Sequence, residues 1–120
     1  MTTSIQVGGH VSASGGLPRA IERAVEREME ALQIFISAPQ TWRATKHTDE
    51  SVAQFREAHA ASGLGQVWIH NIYLANLAAE AEEQLEKSVG SVVNALQIAE
   101  RIGADGVVLH TGSHRGKGLD

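Results

Sequence analysis

The sequence contains no cysteine, which excludes a disulfide framework and any thiolate chemistry. Nor does it hold an apolar run near the roughly 18 residues that a membrane-spanning helix needs, so no membrane partner is expected. The opening residues Met1-Thr2-Thr3-Ser4 lack the basic and apolar parts of a signal peptide. A cytoplasmic location is the expectation that follows. Positive charge is also in short supply. Ten Lys and Arg against 14 Asp and Glu give a formal net charge of −4, which argues against bulk attraction to nucleic acid but leaves room for a local basic edge. Much of the acidity sits at Glu22, Glu26, Glu28, Glu30, Glu80, Glu82, Glu83 and Glu86, whereas His10, Arg43, Lys46, His47, His114, Arg115 and Lys117 fall in loops. Any polyanion would meet the loop side. What remains is an ordinary soluble composition, 42% hydrophobic and 20% charged over 120 residues, enough for one domain with a core of its own.

Two stretches stand out. Gln66-Val67-Trp68-Ile69-His70 and Gly106-Val107-Val108-Leu109-His110 are each an apolar run that stops at a histidine and opens into a small polar loop. A buried strand hands its C-terminal end to a site in this way. The interval between them accommodates one crossover helix, the connection that parallel strands require, and two parallel neighbours would hold the histidines side by side.

Along the chain, Ile5 to Val7 is a strand candidate leading into the glycine-rich Gly8-Gly9-His10-Val11-Ser12-Ala13-Ser14-Gly15-Gly16. No Lys-Ser/Thr pair follows at P-loop spacing, so a strand-to-helix turn is favoured over a phosphate cradle. Leu17, Ala20, Ile21, Ala24 and Val25 mark one face of a first helix, with Pro18 in its first turn. Leu32 to Ser37 reads as a second strand stopped by Pro39. In the next loop Trp42 either stacks on a base or packs against the fold, and packing is favoured. Thr48 is an N-cap for a second helix that carries Val52, Phe55 and Ala58 or His59 inward and stops at Gly63, with His59 in a structural role. The third strand starts at Gln66. A long third helix is expected to bury Leu85, Val89, Val92, Val93, Leu96 and Ala99 and to stop at Gly103, before a fourth strand over Gly106 to Leu109.

The order βαβαβαβ is the signature of a parallel sheet covered by helices, so the fold class is α/β. Alternation puts Ile5, Val7, Leu32, Ile34, Ile36, Val67 and Ile69 on one face and Gln6, Gln33, Gln66, Trp68 and His70 on the other. In a barrel the aliphatic face would meet the helices, and the histidines would stand at the C-terminal rim where such barrels place their active sites. Strands about 4.8 Å apart bring two imidazoles within reach of one zinc ion. A catalytic zinc usually takes three protein ligands plus water, however, and no carboxylate stands at either strand end.

Taken together, Gly8-Gly9-His10-Val11-Ser12 with Gly15-Gly16-Leu17, Gln40-Thr41-Trp42-Arg43, His70-Asn71-Ile72-Tyr73-Leu74-Ala75-Asn76-Leu77-Ala78, Lys87-Ser88 and His110-Thr111-Gly112-Ser113-His114 resemble endonuclease IV in order and spacing over essentially the whole chain. That family is zinc-dependent and cuts DNA at abasic sites. The resemblance implies a TIM-type barrel of eight strand-helix units in the xylose-isomerase-like group, with three zinc ions at its rim. It makes His70 and His110 metal ligands, and Tyr73 and Leu74 a wedge that enters the minor groove. Gln40 and Trp42 fall in a second DNA-binding loop, and His10, Ser12 and His114 sit at the rim.

This sequence departs from the family pattern at Gln40, where an arginine that inserts into the base stack is usual. Ala38 and Ala75 also replace a polar residue and a larger aliphatic, respectively. Residues 1–120 match about three and a half units, an N-terminal part of a single barrel domain truncated at its C-terminus, without the matching positions for the bridging glutamate and the remaining ligands. The expected activity of the complete protein is hydrolysis of the phosphodiester 5′ to an abasic site in double-stranded DNA, as in base-excision repair. The 120 residues alone are expected to be inactive, and poorly stable or self-associating unless a missing C-terminal half covers them. The alternatives are a sugar isomerase or epimerase on the same barrel, and a non-catalytic half-barrel that only packs against another protein.

Overall fold

A computed structural model describes residues 4–118. The Met1–Thr3 segment, read above for a targeting signal, and the last two residues lie outside the described part. Seven elements alternate: β1 (Gly8–His10), α1 (Leu17–Glu26), β2 (Ala31–Ile34), α2 (Asp49–Ser62), β3 (Val67–His70), α3 (Glu82–Ile102) and β4 (Gly106–Val108). The strands form one parallel sheet in the order β1-β2-β3-β4. In that strictly sequential order every crossover runs the same way, and the right-handed sense that parallel connections take puts every helix on the same face. The order describes a sector of a barrel, not a doubly wound sheet, whose strand order reverses.

Alternation decides the two faces. Leu32 and Ile34 of β2 and Val67 and Ile69 of β3 are buried against Leu17, Ala20, Ile21 and Ala24 of α1, Val52 and Phe55 of α2, and Ala95, Ile98, Ala99 and Ile102 of α3. The opposite face carries Gln33, Trp68 and His70, so the glutamines point away from the helices as expected of a barrel interior. This inner face is polar and hydrogen-bonded: the Trp68 indole N–H donates to Gln66 Oε1 at 3.0 Å, and Gln66 N–H donates to Gln6 Oε1 at 2.8 Å. Trp68 lies flat enough over β4 that a Cβ on Gly106 would come within 2.6 Å of its ring. No helix among the described residues is long and apolar enough to cross a membrane.

Local chemistry explains the helix boundaries. Thr48 Oγ1 accepts from Ser51 N–H at 3.1 Å, the N-cap bond that satisfies an orphan donor of α2, and Gly63 and Gly103 close α2 and α3 in the left-handed conformation. His59 is a structural residue, its Nε2 bonded to the Gly65 carbonyl at 2.8 Å.

Several expectations shift. The first strand is Gly8–His10, and Ile5 and Val7 are 89% and 68% exposed. The reason is steric. Strand β1 approaches β2 so closely at Gly8 that a side chain there would strike the Ala31 backbone, and glycines can form that ladder where aliphatics cannot. Strand β2 ends at Ile34 and β4 at Val108, each shorter than the apolar run that suggested it. Val25 faces outward on α1. On α3 the buried stripe is Ser88, Ala95, Ile98, Ala99 and Ile102, while Val89, Val93 and Leu96 are exposed. Ala95, Ile98, Ala99 and Ile102 of that face join the common core, and Ser88 is buried with its hydroxyl hydrogen-bonded.

Candidate metal and nucleic-acid site

His10, Phe35, His70, Tyr73 and His110 meet at the C-terminal ends of the strands. Phe35 is the centre, with ring centroids 4.7 Å from His10, 5.0 Å from His70 and 5.3 Å from Tyr73. The His70 and His110 rings are 5.1 Å apart, and His10 stands on the other side of His70 at 6.5 Å. Parallel register produces this grouping: Gly9 pairs with Leu32, Leu32 with Val67 and His70 with Val108, so the strand ends finish at one level.

Hydrogen bonds assign the protons. His70 Nδ1 is 2.6 Å from the Asn71 carbonyl, which can only accept, so Nδ1 carries the proton and Nε2 presents a lone pair. This is the arrangement of a metal-binding histidine, whose outer nitrogen donates to a carbonyl and whose inner nitrogen ligates. His10 is set the opposite way. Its Nδ1 accepts from the Gln33 amide at 3.1 Å, leaving the proton on Nε2 and making the ring a hydrogen-bond donor at the rim. Burial, and to a lesser degree the neighbouring His70, push the His10 pKa below the ordinary imidazole value. His114 Nδ1 accepts from Gly116 and Gly118 N–H, both at 3.0 Å, so this side chain folds the loop that follows β4. Ser12 Oγ accepts from Ser14 N–H at 3.0 Å and shapes the β1–α1 turn.

The remaining candidates lie on adjoining loops. Tyr73 is 59% exposed and Leu74 half-buried. Tyr73 N–H donates to the Pro39 carbonyl at 2.8 Å, which ties its loop to the one that carries exposed Gln40. Trp42 is half-buried and lines a cavity of about 220 Å³ with Ile36, His70, Ile72 and Lys87. A larger cavity of about 640 Å³ opens between the β1–α1 and β2–α2 loops, with His10, Ser12, Lys46 and His47 on its wall. Among the described residues, no group of three or more His, Asp or Glu side chains converges closely enough to enclose a metal ion. The rim therefore offers a pair of imidazoles and no enclosing set.

The family model described as xylose isomerase-like TIM barrel matches residues 21–120. The chain belongs to that family. Within it, the relatives are of the kind the motifs suggested. A probable endonuclease 4 of Trichlorobacter lovleyi is 39% identical over 90% of this chain and 38% of its own length. Another, from Haloarcula marismortui, is 36% identical over 97% of this chain and 42% of its own. The crystal structure of endonuclease IV from Thermus thermophilus superposes with a TM-score of 0.87 at 38% identity, covering 92% of this chain and 42% of that one. A 3-keto-D-glucoside 4-epimerase from E. coli shares the fold at a TM-score of 0.63 and 13% identity. This family member thus spans about two fifths of the length of the endonuclease 4 relatives it matches.

Some residues of the site were hidden in the sequence. Phe35 stood in an apolar strand with nothing to mark it as the hub of an aromatic cluster, although its alternation with Ile34 and Ile36 already put it on the inner face. Asn76 and Ser88 belonged to the recognisable motifs without an assigned task. Both turn out to be fully engaged in the loop structure beside His110.

Proposed function

We propose that this chain forms the N-terminal sector of a zinc-dependent endonuclease that cuts double-stranded DNA 5′ to abasic sites, a base-excision repair activity carried out in the cytoplasm. The observation that carries the reading is the His70 ring, whose Nδ1–H is held by the Asn71 carbonyl and whose free Nε2 shares the rim with His110. The names of the relatives and the endonuclease IV superposition favour the same assignment.

His70 and His110 would hold one zinc ion of a larger cluster. Both offer imidazole nitrogens at the rim, His70 from the end of β3 and His110 from the loop after β4, which fits the preferences of zinc. When bound, zinc supplies Lewis-acid stabilisation of phosphate charge and an activated water. The protein's own groups do the rest. His10 presents an Nε2–H donor beside the pair, positioned by Gln33, for a phosphate oxygen at the rim. Tyr73 exposes its ring over Phe35 and His70, with Leu74 next to it, as an aromatic and apolar wedge for an unstacked base step. Gln40 and Trp42 flank the wedge. The glutamine reaches less far into a base stack than arginine and carries no charge for a phosphate, so lesion contact shifts toward Tyr73.

With two imidazoles and no bridging carboxylate among the described residues, the chain by itself binds zinc weakly and does not cut. The test is a duplex with one abasic site, incubated with the chain with and without chelator, alongside zinc uptake by the chain and its H70A and H110A variants. Zinc uptake that falls in both variants, preference for the abasic over the intact duplex, and no incision are expected. Absence of both uptake and preference would replace the proposal by a non-catalytic half-barrel. Chelator-sensitive incision would show that the catalytic set is complete without further residues. The exposed Tyr73 ring argues against the epimerase alternative, because a small sugar substrate gains nothing from an open wedge.

A further inference from the structure

The ladder between β3 and β4 ends before the histidine it is meant to position. Its last bond runs from Asn71 N–H to the Val108 carbonyl at 2.9 Å, and His110 lies two residues further on, in a loop with no sheet partner. The location of the His110 ring, 5.1 Å from His70, therefore needs another cause.

Asn76 supplies it. Its side-chain amide treats Ser113 as a strand would: Oδ1 accepts from Ser113 N–H at 3.0 Å and Nδ2 donates to the Ser113 carbonyl at 3.1 Å. The same Oδ1 accepts from Ala78 N–H at 3.0 Å, which fixes which end of the amide is oxygen. The adjacent Leu77 N–H donates to the Thr111 carbonyl at 2.9 Å. Residues 111 and 113 are thus gripped on either side of Gly112, which has φ 106° and packs so tightly on Asn76 that any Cβ there would overlap the amide.

Asn76 is itself anchored. Its backbone N–H donates to Ser88 Oγ at 2.9 Å, and the wholly buried Ser88 hydroxyl donates in turn to the Gln84 carbonyl at 2.7 Å inside α3. Ser88 satisfies the helix and the loop with one hydroxyl, and neither alanine nor valine there could do both.

We infer that Asn76, anchored on α3 by Ser88, is the positioning residue that sets His110 opposite His70. Its relevance to metal affinity rests on the proposed role of that histidine pair, and its geometric effect can be measured without any metal. Neither side chain touches a ligand. Both act through the loop that carries His110, so losing them moves a donor by ångströms while the sheet and its core stay intact.

The test uses the 120-residue chain with N76A, N76D and S88A. Nuclear Overhauser contacts between the His70 and His110 rings, hydrogen-exchange protection at Ser113 N–H, zinc affinity by chelator competition, and far-UV circular dichroism are recorded for each. The wild type should show the ring contact and a protected Ser113 amide. N76A should lose both, with zinc affinity down about tenfold, while the His70–Phe35 contact and helix content persist. N76D keeps the two accepted bonds and loses the donated one, so it should fall between, and it decides the matter if N76A fails to fold. S88A should weaken the ring contact in the same direction. Retention of the wild-type ring contact and Ser113 protection in either folded Asn76 variant would overturn the inference, as would their absence from the wild type. A wild type with the ring contact but no zinc uptake, and variants that lose the contact, would uphold the positioning role and defeat the metal reading alone.

Discussion

His70 and His110 face each other across a 5.1 Å ring-to-ring gap, although only His70 belongs to a strand. His70 is fixed twice, by the sheet and by its Nδ1–H bond to the Asn71 carbonyl. His110 has neither support. The two halves of the pair should therefore respond differently to perturbation: the His70 ring should stay ordered under mild denaturant while His110 loses its position first. Residue-resolved NMR line shapes in a urea series would check the order of loss.

Replacing either histidine by alanine should lower zinc affinity by at least about tenfold, with little change in stability, because both rings stand at the rim and outside the helix-facing core. Competition with a chromophoric chelator gives the affinity and urea unfolding gives the stability. Equal zinc affinity in all three proteins would refute the assignment of the pair.

The His10 pKa is lowered from 6.5, first by burial and second by the charge on His70. With its folded-state pKa below the unfolded one, the folded state favours neutral His10. The stability associated with this is complete above about pH 6.5 and is lost as pH falls through the folded-state value. H70A should move the His10 titration part of the way back and leave the burial contribution in place. Imidazole proton shifts followed between about pH 4 and 8, the range where histidines titrate, measure both effects.

G106A should destabilise the chain by about 1–3 kcal/mol, because the added methyl would sit 2.6 Å from the Trp68 ring and force one of them to shift. Thr48→Ala should cost about 1 kcal/mol by removing the N-cap bond of α2. Denaturant midpoints check both, and a Trp68 emission change should accompany only the first.

Self-association should follow from the surfaces left open. The uncovered inner face, the free edges of β1 and β4 among the described residues and the exposed Val89, Val93 and Leu96 of α3 leave open what parallel sheets ordinarily keep covered or paired. The sedimentation coefficient should rise with concentration over the micromolar range, and V93D should reduce the rise. A sharply melting monomer at every concentration would contradict it.

Much of this was legible in the linear chain, for definite reasons. Thr48, Gly63 and Gly103 mark helix ends because cap chemistry is local. The alternation of Leu32, Ile34, Val67 and Ile69 with Gln33, Trp68 and His70 announced a two-faced sheet, because a strand has a period of two regardless of its neighbours. On α3, bulk suggests burial for Val89, Val93 and Leu96, whereas the face that meets the core is the one with Ser88, Ala95, Ile98, Ala99 and Ile102, a choice set by tertiary packing.

By itself, then, the sequence determined the alternating α/β order, the two histidine-ended segments and the endonuclease IV motifs, all of which are encoded in residue type and spacing. Tertiary structure alone decided that glycines form β1, that Phe35 gathers His10, His70 and Tyr73 around it, and that Asn76 grips the loop of His110. Each of those depends on how closely two distant backbones approach, a distance that no local pattern carries.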